Sequence, residues 1–378
     1  MIDASPLRKK LAASIASPGW TAALEAVPRE LFVGDALFQY QDAGGWTPVS
    51  RSEMPEEEWL ALVYTDETWV TQVDGVMARD AAGPMGIRRP TSSSTLPSLV
   101  VQMLDVAGIG EGGSVLEIGT GTGYSTALMC HRLGEQAVTS VETDPEVAGR
   151  ASAALEAAGF APTLVLGDGL AGYPARALYD RLIATCAVRT IPPAWLTQVR
   201  TGGTITAPML GWAEGAAFAH LTVTDAGEAR GRFVNDDVYF MPARPHAAPP
   251  RGDMYIGRGE ARPTDLNPKI VKDSAALFTV QLAIPGAILG WLDSTLTLRD
   301  PRTGAQADIS DAPGGGWIVH QDGPVRLWDA VEKVIELWRG AGSPHQSGFG
   351  LTATLERQWV WLGEPNGPSW TLPAHPQP

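Results

Sequence analysis

Residues 117–124 read Glu117-Ile118-Gly119-Thr120-Gly121-Thr122-Gly123-Tyr124, glycines at alternate positions between an apolar run at 114–118 and a helix-like stretch at 124–133. Few arrangements accommodate that order. Glycine has no Cβ, so the turn can be tight and its backbone can come close to another molecule. The helix that follows leaves its first N–H groups unpaired, which makes its start a natural ligand site. A strand, a glycine loop and a helix in succession belong to a sheet in which strands and helices alternate.

The flanking sequence has that alternation. Strands are expected at 114–118, 137–141, 163–166, 181–184 and 204–207, with a late edge strand at 220–224. Helices are expected at 124–133, from Asp144-Pro145-Glu146 to Gly159, and at 193–199. Asp144 is a capping residue, Pro145 suits the first helical position, and Glu146 puts an acid in the first turn. The fold class is therefore α/β, with a doubly wound, mostly parallel sheet. Residues 1–90 are expected to form an N-terminal helical and irregular cap, helical at 6–33 and irregular at 34–90. Residues 91–241 form the core. A Pro-rich stretch at 242–262 reads as a linker, and 263–378 as a smaller α+β C-terminal domain. Within it, 277–284 and 351–362 look strand-like. Residues 325–339 look like an amphipathic helix with Leu327, Trp328, Val331, Val334, Ile335 and Trp338 on one face.

Two more acids stand where doubly wound folds bind ligands, at the carboxyl ends of strands. Glu142 ends the second strand, about twenty residues past the glycines, where a carboxylate can take both hydroxyls of a ribose. Asp168, within Gly167-Asp168-Gly169, ends the third strand, where it can meet an adenine edge. The dinucleotide fingerprint would place its third glycine one residue beyond Gly123 and would need room for a pyrophosphate. Glu117, two residues before the first glycine, suits instead a cationic ligand carrying a sulfonium and an amino group. The competing reading is a tight turn flanked by surface acids.

These residues carry a resemblance. Residues 116–124, LEIGTGTGY, look like the first motif of the protein-L-isoaspartate O-methyltransferase family, typically LEIGTGSGY. Val27-Pro28-Arg29-Glu30-Leu31-Phe32-Val33 is similar to the family's VPR-x-x-F segment. Gly167-Asp168-Gly169 matches its later GDG, and Ile191-Pro192, Leu196 and Gly202-Gly203 its IP…L…GG run. The resemblance spans residues 20–225 in the correct order. It implies an S-adenosyl-L-methionine-dependent carboxyl methyltransferase, with S-adenosyl-L-homocysteine as product. By the same resemblance Glu117, Gly119 and Gly121 bind the methionine part of the cofactor, Glu142 the ribose and Asp168 the adenine side, with Thr120, Gly123, Tyr124, Gly167 and Gly169 as further cofactor-binding residues.

The acceptor segment departs from the family. A Ser-x-Pro segment is expected before a helix, often with His after the Pro. Here Thr95 stands in place of Ser and Ser98 in place of His, preceded by Ser93 and Ser94. A carboxylate with an ordinary pKa near ~4 is already a nucleophile at neutral pH, so no general base is required and a hydroxyl suffices to orient it. Thr95, Ser94 and Ser93 are thus the catalytic candidates. The alternative is that Ser94 and Thr95 only cap the helix from Pro97.

The remaining composition narrows the partners. With 42 acidic against 28 basic residues, a net charge of -14 disfavours nonspecific binding to nucleic acid or an anionic membrane. Cys130 and Cys186 read as buried thiols. His131, His220, His246, His320, His345 and His375 show no metal-ligand spacing, so no metal is expected. Without a long apolar run the chain is expected to be soluble and cytoplasmic. The C-terminal region resembles extensions found on tailoring enzymes of ribosomally made peptides in lanthipeptide and graspetide pathways. That likeness implies a cyclised precursor peptide as partner, methylated on an Asp side chain on the way to aspartimide or isoaspartate. A general isoaspartyl repair enzyme is the alternative. Trp317, Trp328, Trp338, Trp359, Trp361 and Trp370 could contact a peptide, with Trp328 and Trp338 the ones best suited to a core.

Overall fold

The computed structural model describes residues 2–41, 44–110, 112–225, 227–234, 238–250 and 255–374. Part of the 242–262 linker and His375 lie outside the described residues. Contacts divide the chain into two units, Met1–Thr185 with Thr197–Thr206, and Cys186–Leu196 with Ala207–Pro378. The division passes near Thr185, Thr197 and Thr206 and not at the Pro-rich stretch.

The first unit opens with α1 (Ser5–Ile15), α2 (Thr21–Ala26) and α3 (Arg29–Val33), broken where Pro18-Gly19 and Pro28 interrupt the helix. The expected irregular stretch at 34–90 is instead largely ordered. It holds β1 (Ala36–Tyr40), β2 (Trp46–Ser50), α4 (Glu56–Val63), β3 (Trp69–Val73), β4 (Val76–Met77) and β5 (Pro90–Ser94). These strands pair antiparallel in the order β2-β1-β3-β4, with β5 on β3. They are short, and β5 is polar, so no apolar alternation announces them. Leu11, Val33, Leu37, Trp59, Leu60 and Val63 pack into one buried cluster.

Next come α5 (Pro97–Val106), β6 (Val115–Ile118), α6 (Tyr124–Leu133), β7 (Val138–Glu142), α7 (Pro145–Ala157), β8 (Thr163–Leu166), β9 (Tyr179–Ala184), α8 (Pro193–Gln198) and β10 (Val199–Leu210). The strands lie parallel in the order β8-β7-β6-β9-β10. All of β6 is buried because it has parallel neighbours on both sides, and its Leu116-Glu117 step is therefore unusual. Asp144 caps α7 as expected, accepting from the N–H groups of Glu146 and Val147 at 2.9 and 3.2 Å.

The second unit continues with β11 (Ala216–Asp225), β12 (Glu228–Phe233), β13 (Glu260–Thr264), α9 (Ser274–Ala283), β14 (Ile288–Leu292), β15 (Thr295–Arg299), β16 (Gln306–Asp311), β17 (Trp317–Asp322), α10 (Leu327–Gly340), β18 (Phe349–Thr354), β19 (Gln358–Leu362) and β20 (Ser369–Thr371). One antiparallel run is β11-β12-β18-β19-β20 and another β13-β17-β16-β15-β14. The strand expected at 277–284 is a helix, α9, capped by Asp273 on the Ala276 N–H at 2.8 Å. Its residues are buried nearly all round, which erases the helical period that would have marked it. α10 buries the six expected apolar residues. No described helix is long and apolar enough to cross a membrane.

Candidate active site

The glycine loop lies at the C-terminal end of β6, hung on its neighbour β7. The N–H groups of Gly119 and Thr120 donate to the Val141 carbonyl at 2.8 and 3.3 Å, and Gly123 N–H to Thr120 O at 2.9 Å. Gly121 has φ +54°, and a Cβ there would stand 3.7 Å from the Ser93 carbonyl oxygen. The end of β5 therefore lies against the loop. Thr185, just beyond β9, donates its hydroxyl to the Gly119 carbonyl.

Glu142 ends β7 with both carboxylate oxygens engaged. Oε2 accepts from Gly121 N–H at 2.9 Å, and Oε1 from the N–H groups of Thr143 and Asp144 at 2.9 and 3.0 Å. The side chain is half-buried, so lone pairs remain for further donors. Asp168 is exposed, with Oδ1 accepting from Leu170 N–H at 2.9 Å. Gly167 N–H donates to Glu142 O at 2.9 Å, which draws the two acids' strand ends together. A Cβ on Gly169 would fall 2.5 Å from Ile118 Cγ2, so only glycine allows that close approach.

Glu117 is not where a ligand could reach it. It is fully buried, and its Oε1 accepts from Ser125 Oγ at 2.5 Å while Oε2 accepts from Thr126 Oγ1 at 2.5 Å and Ser140 Oγ at 2.7 Å. Burial pushes its carboxyl above the ordinary value, and the three hydroxyls pull the other way. The expected direct contact with a cationic ligand is corrected to a brace beneath the loop. Thr120 joins that brace through its hydroxyl, 2.6 Å from Ser140 Oγ. Ser125, Thr126 and Ser140 were not among the expected site residues, although their hydroxyls facing a buried acid are the signal of it. Tyr124 is also buried, against Phe32 at 5.8 Å between ring centroids and beneath the Arg29 guanidinium at 5.8 Å. Its position is in the packing of α3 and α6.

The acceptor candidates sit at the end of β5. Ser93 and Thr95 are half-buried, and Ser94 is buried with its Oγ lacking a hydrogen-bond partner among the described residues. Neither Ser94 nor Thr95 caps α5. Leu96 holds the cap position, and the free N–H groups go elsewhere: Leu96 N–H to Thr68 Oγ1 at 3.0 Å and Ser98 N–H to Asp66 Oδ1 at 2.9 Å. The capping alternative is thus removed, which leaves those hydroxyls available.

Arg29, from the VPR segment, holds this arrangement. It is fully buried, and its guanidinium donates to the carbonyls of Val63, Thr65 and Glu67 at 2.8, 2.6 and 2.7 Å and to that of Thr95 at 3.4 Å. Burial lowers its pKa to about 10. The same residues 63–68 supply the α5 caps. Gln72 of β3 completes the frame, donating to Asp144 Oδ2 at 3.2 Å and accepting from Thr91 Oγ1 at 2.7 Å. The β3–β5 pair is thereby tied to the strand end that carries Glu142.

Comparison with known proteins identifies a family. The model of the protein-L-isoaspartate(D-aspartate) O-methyltransferase family matches residues 59–244. A protein-L-isoaspartate O-methyltransferase of Staphylothermus marinus is 32% identical over 164 residues, covering 41% of this chain and 68% of the relative. The chain belongs to the protein-L-isoaspartate O-methyltransferase family. The relative from Ignicoccus hospitalis is 38% identical over 132 residues, and there the match spans 34% of this chain and 61% of the relative's length. A solved structure of a protein-L-isoaspartate O-methyltransferase matches 93% of this chain and 96% of its own, with 21% identity and a TM-score of 0.53. That likeness establishes a shared fold, the class I methyltransferase fold, and extends it to most of the chain.

Proposed function

We propose that this chain transfers a methyl group from S-adenosyl-L-methionine to the free carboxylate of an L-isoaspartyl residue in a polypeptide. The observation that carries this is Glu142 holding the glycine loop at Gly121 while keeping a half-exposed carboxylate at the strand end, in a chain of this family. The residues fit the cofactor. The partly free oxygens of Glu142 suit ribose hydroxyls, and the exposed Asp168 suits the adenine side. Glu117 fits only indirectly, through the loop it braces.

The bound cofactor supplies an electrophilic methyl on a sulfonium and leaves as S-adenosyl-L-homocysteine. The chain's own residues have a modest chemical task. The acceptor is already anionic at neutral pH, so the site must place it and exclude water. The hydroxyl of Thr95 or Ser94 orients the carboxylate by one hydrogen bond, and Arg29 fixes the Thr95 backbone from below. Later closure of the ester to a succinimide with loss of methanol is chemistry of the peptide and asks nothing of the chain.

The narrower reading, methylation of an Asp in a cyclised ribosomal peptide, draws on the C-terminal region. The curated relatives are named protein-L-isoaspartate O-methyltransferase and a solved structure of that name shares the fold over 93% of this chain, so a C-terminal region of this kind does not by itself favour tailoring, and general isoaspartyl methylation is the better-supported reading. The test uses cofactor labelled in its methyl group, with an isoaspartyl peptide, its aspartyl isomer and a cyclised peptide as acceptors. Base-labile label on the isoaspartyl peptide is the expected result. Label confined to the cyclised peptide would favour tailoring, and label on none of them would refute carboxyl transfer to peptides.

A further inference from the structure

Gln72 joins two parts of the site that lie far apart in the sequence. It is buried on β3, where the β3–β5 ladder is irregular: pairing shifts between Val70 and Gln72 and again between Gln72 and Val73. A regular backbone ladder does not hold β5 at this point, and side chains take over. Thr91 of β5 donates its hydroxyl to Gln72 Oε1 at 2.7 Å and accepts from Gly75 N–H at 3.1 Å. Beside it Thr71 donates its hydroxyl to Ser92 Oγ at 3.3 Å.

The other end of the same amide faces the cofactor side. Gln72 Nε2 donates to Asp144 Oδ2 at 3.2 Å, an orientation fixed by chemistry because an ionised carboxylate only accepts. Asp144 is itself held, with Oδ1 on the N–H groups of Glu146 and Val147 at the start of α7. Its own N–H donates to Glu142 Oε1 at 3.0 Å, and Glu142 Oε2 holds Gly121. One run of hydrogen bonds thus passes from Thr91, on the strand that leads to Thr95, through Gln72 and Asp144 to Glu142 and the glycine loop. A buried amide keeps both its bonds only while the two sides stay in register, since losing a partner in a dry place is costly. A ligand that fixes the end of β5 therefore also fixes Glu142, and a ligand on Glu142 fixes β5. Linkage makes the effect reciprocal.

We propose that Gln72 is a positioning residue that couples peptide binding at the end of β5 to cofactor binding at Glu142, so that each ligand tightens the other. The inference deepens the function proposed above and rests on it.

The test is calorimetry on the full chain with S-adenosyl-L-homocysteine, alone and with a saturating isoaspartyl peptide. The peptide should tighten S-adenosyl-L-homocysteine by about fivefold or more. Gln72→Met keeps the length of the side chain and removes both hydrogen bonds. It should bring that ratio to about one, while affinity for S-adenosyl-L-homocysteine alone stays within about threefold. Thr91→Val cuts the run from the acceptor side and should act alike, so it decides if Gln72→Met does not fold. Gln72→Glu sets one carboxylate against another and should also uncouple the ligands. Adding Asp144→Asn reverses the direction of that hydrogen bond, leaves the α7 cap in place and should restore the coupling. A wild-type ratio of about one or less would overturn the proposal. So would a folded Gln72→Met or Thr91→Val chain that melts lower but keeps the wild-type ratio, which is the mark of a purely structural amide. Failure of either ligand to bind the wild-type chain by itself would refute the proposed function as well, whereas independent binding of both would overturn the coupling alone.

Discussion

The Glu142 carboxylate accepts the backbone N–H of Gly121 at 2.9 Å, so the acid ending one strand fixes the loop ending its neighbour. Hydrogen bonds to a charged group contribute about 1.5–3 kcal/mol each. Glu142→Ala removes that brace together with the proposed acceptor for ribose hydroxyls. Affinity for S-adenosyl-L-homocysteine is expected to fall about tenfold or more by calorimetry, with Glu142→Gln intermediate. Unchanged affinity in a folded Glu142→Ala chain would confine Glu142 to a loop-bracing role.

Glu117 provides a pH signature. Its folded carboxyl sits above the ordinary value of 4.5, with burial the leading cause. The folded chain thus keeps a proton that the unfolded chain has released. Its contribution to stability is full below the ordinary value and is lost as pH rises through the folded one. Glu117→Gln should flatten this fall. The check is the difference between wild-type and variant denaturation midpoints across pH, and a difference that does not change with pH would contradict it. Glu117→Ala should be costlier, since it strands the hydroxyls of Ser125, Thr126 and Ser140.

Arg29 should act through stability and turnover, not through cofactor affinity. Arg29→Ala leaves the carbonyls of Val63, Thr65 and Glu67 without their donor. Each buried carbonyl left unpaired costs about 1–3 kcal/mol. Arg29→Lys keeps a charge but cannot span all of these carbonyls, because its donors share one nitrogen. It is expected to fold with a lower melting temperature and reduced kcat while its affinity for S-adenosyl-L-homocysteine stays within about twofold, because the Arg29 guanidinium donates to the carbonyls of Val63, Thr65, Glu67 and Thr95 and not to the glycine loop. Parallel loss of cofactor affinity would show that the clamp also shapes the glycine loop.

Ser94 and Thr95 can be separated by their surroundings. Ser94 Oγ is buried with no partner among the described residues, so Ser94→Ala removes an unsatisfied group and should leave the melting temperature equal or higher. A fall in turnover despite that would identify Ser94 as the hydroxyl that meets the acceptor. Thr95→Ala should lower turnover more than it lowers cofactor affinity, and Thr95→Ser should be mild. If Thr95→Ala leaves turnover intact and Ser94→Ala abolishes it, the acceptor contact moves by one residue.

The glycine loop and the strand ends that carry Glu142 and Asp168 were legible in the sequence because buried parallel strands are short apolar runs and loop glycines punctuate them. The cap on α7 was legible because Asp144-Pro145 is a local signal. What escaped was set by distant parts of the chain. β5 is a run of hydroxyl residues ordered only by pairing with β3. α9 is buried nearly all round and shows no period. Glu117 read as a ligand-facing acid because nothing local says that the hydroxyls of Ser125, Thr126 and Ser140 close over it. Arg29 carried a family motif, yet its role depends on carbonyls 34 to 66 residues away.

Methyl transfer to an isoaspartyl carboxylate is tested with a matched pair of peptides that differ only in whether one residue is aspartyl or isoaspartyl. kcat/KM for methyl transfer is to be measured on both with wild-type chain and with Glu142→Ala. The prediction is a preference for the isoaspartyl peptide of about a hundredfold or more, since a misplaced acceptor loses the in-line geometry, together with a large loss in Glu142→Ala at subsaturating cofactor. Equal rates on the two peptides, or transfer to the isoaspartyl peptide that Glu142→Ala leaves unchanged, would contradict it.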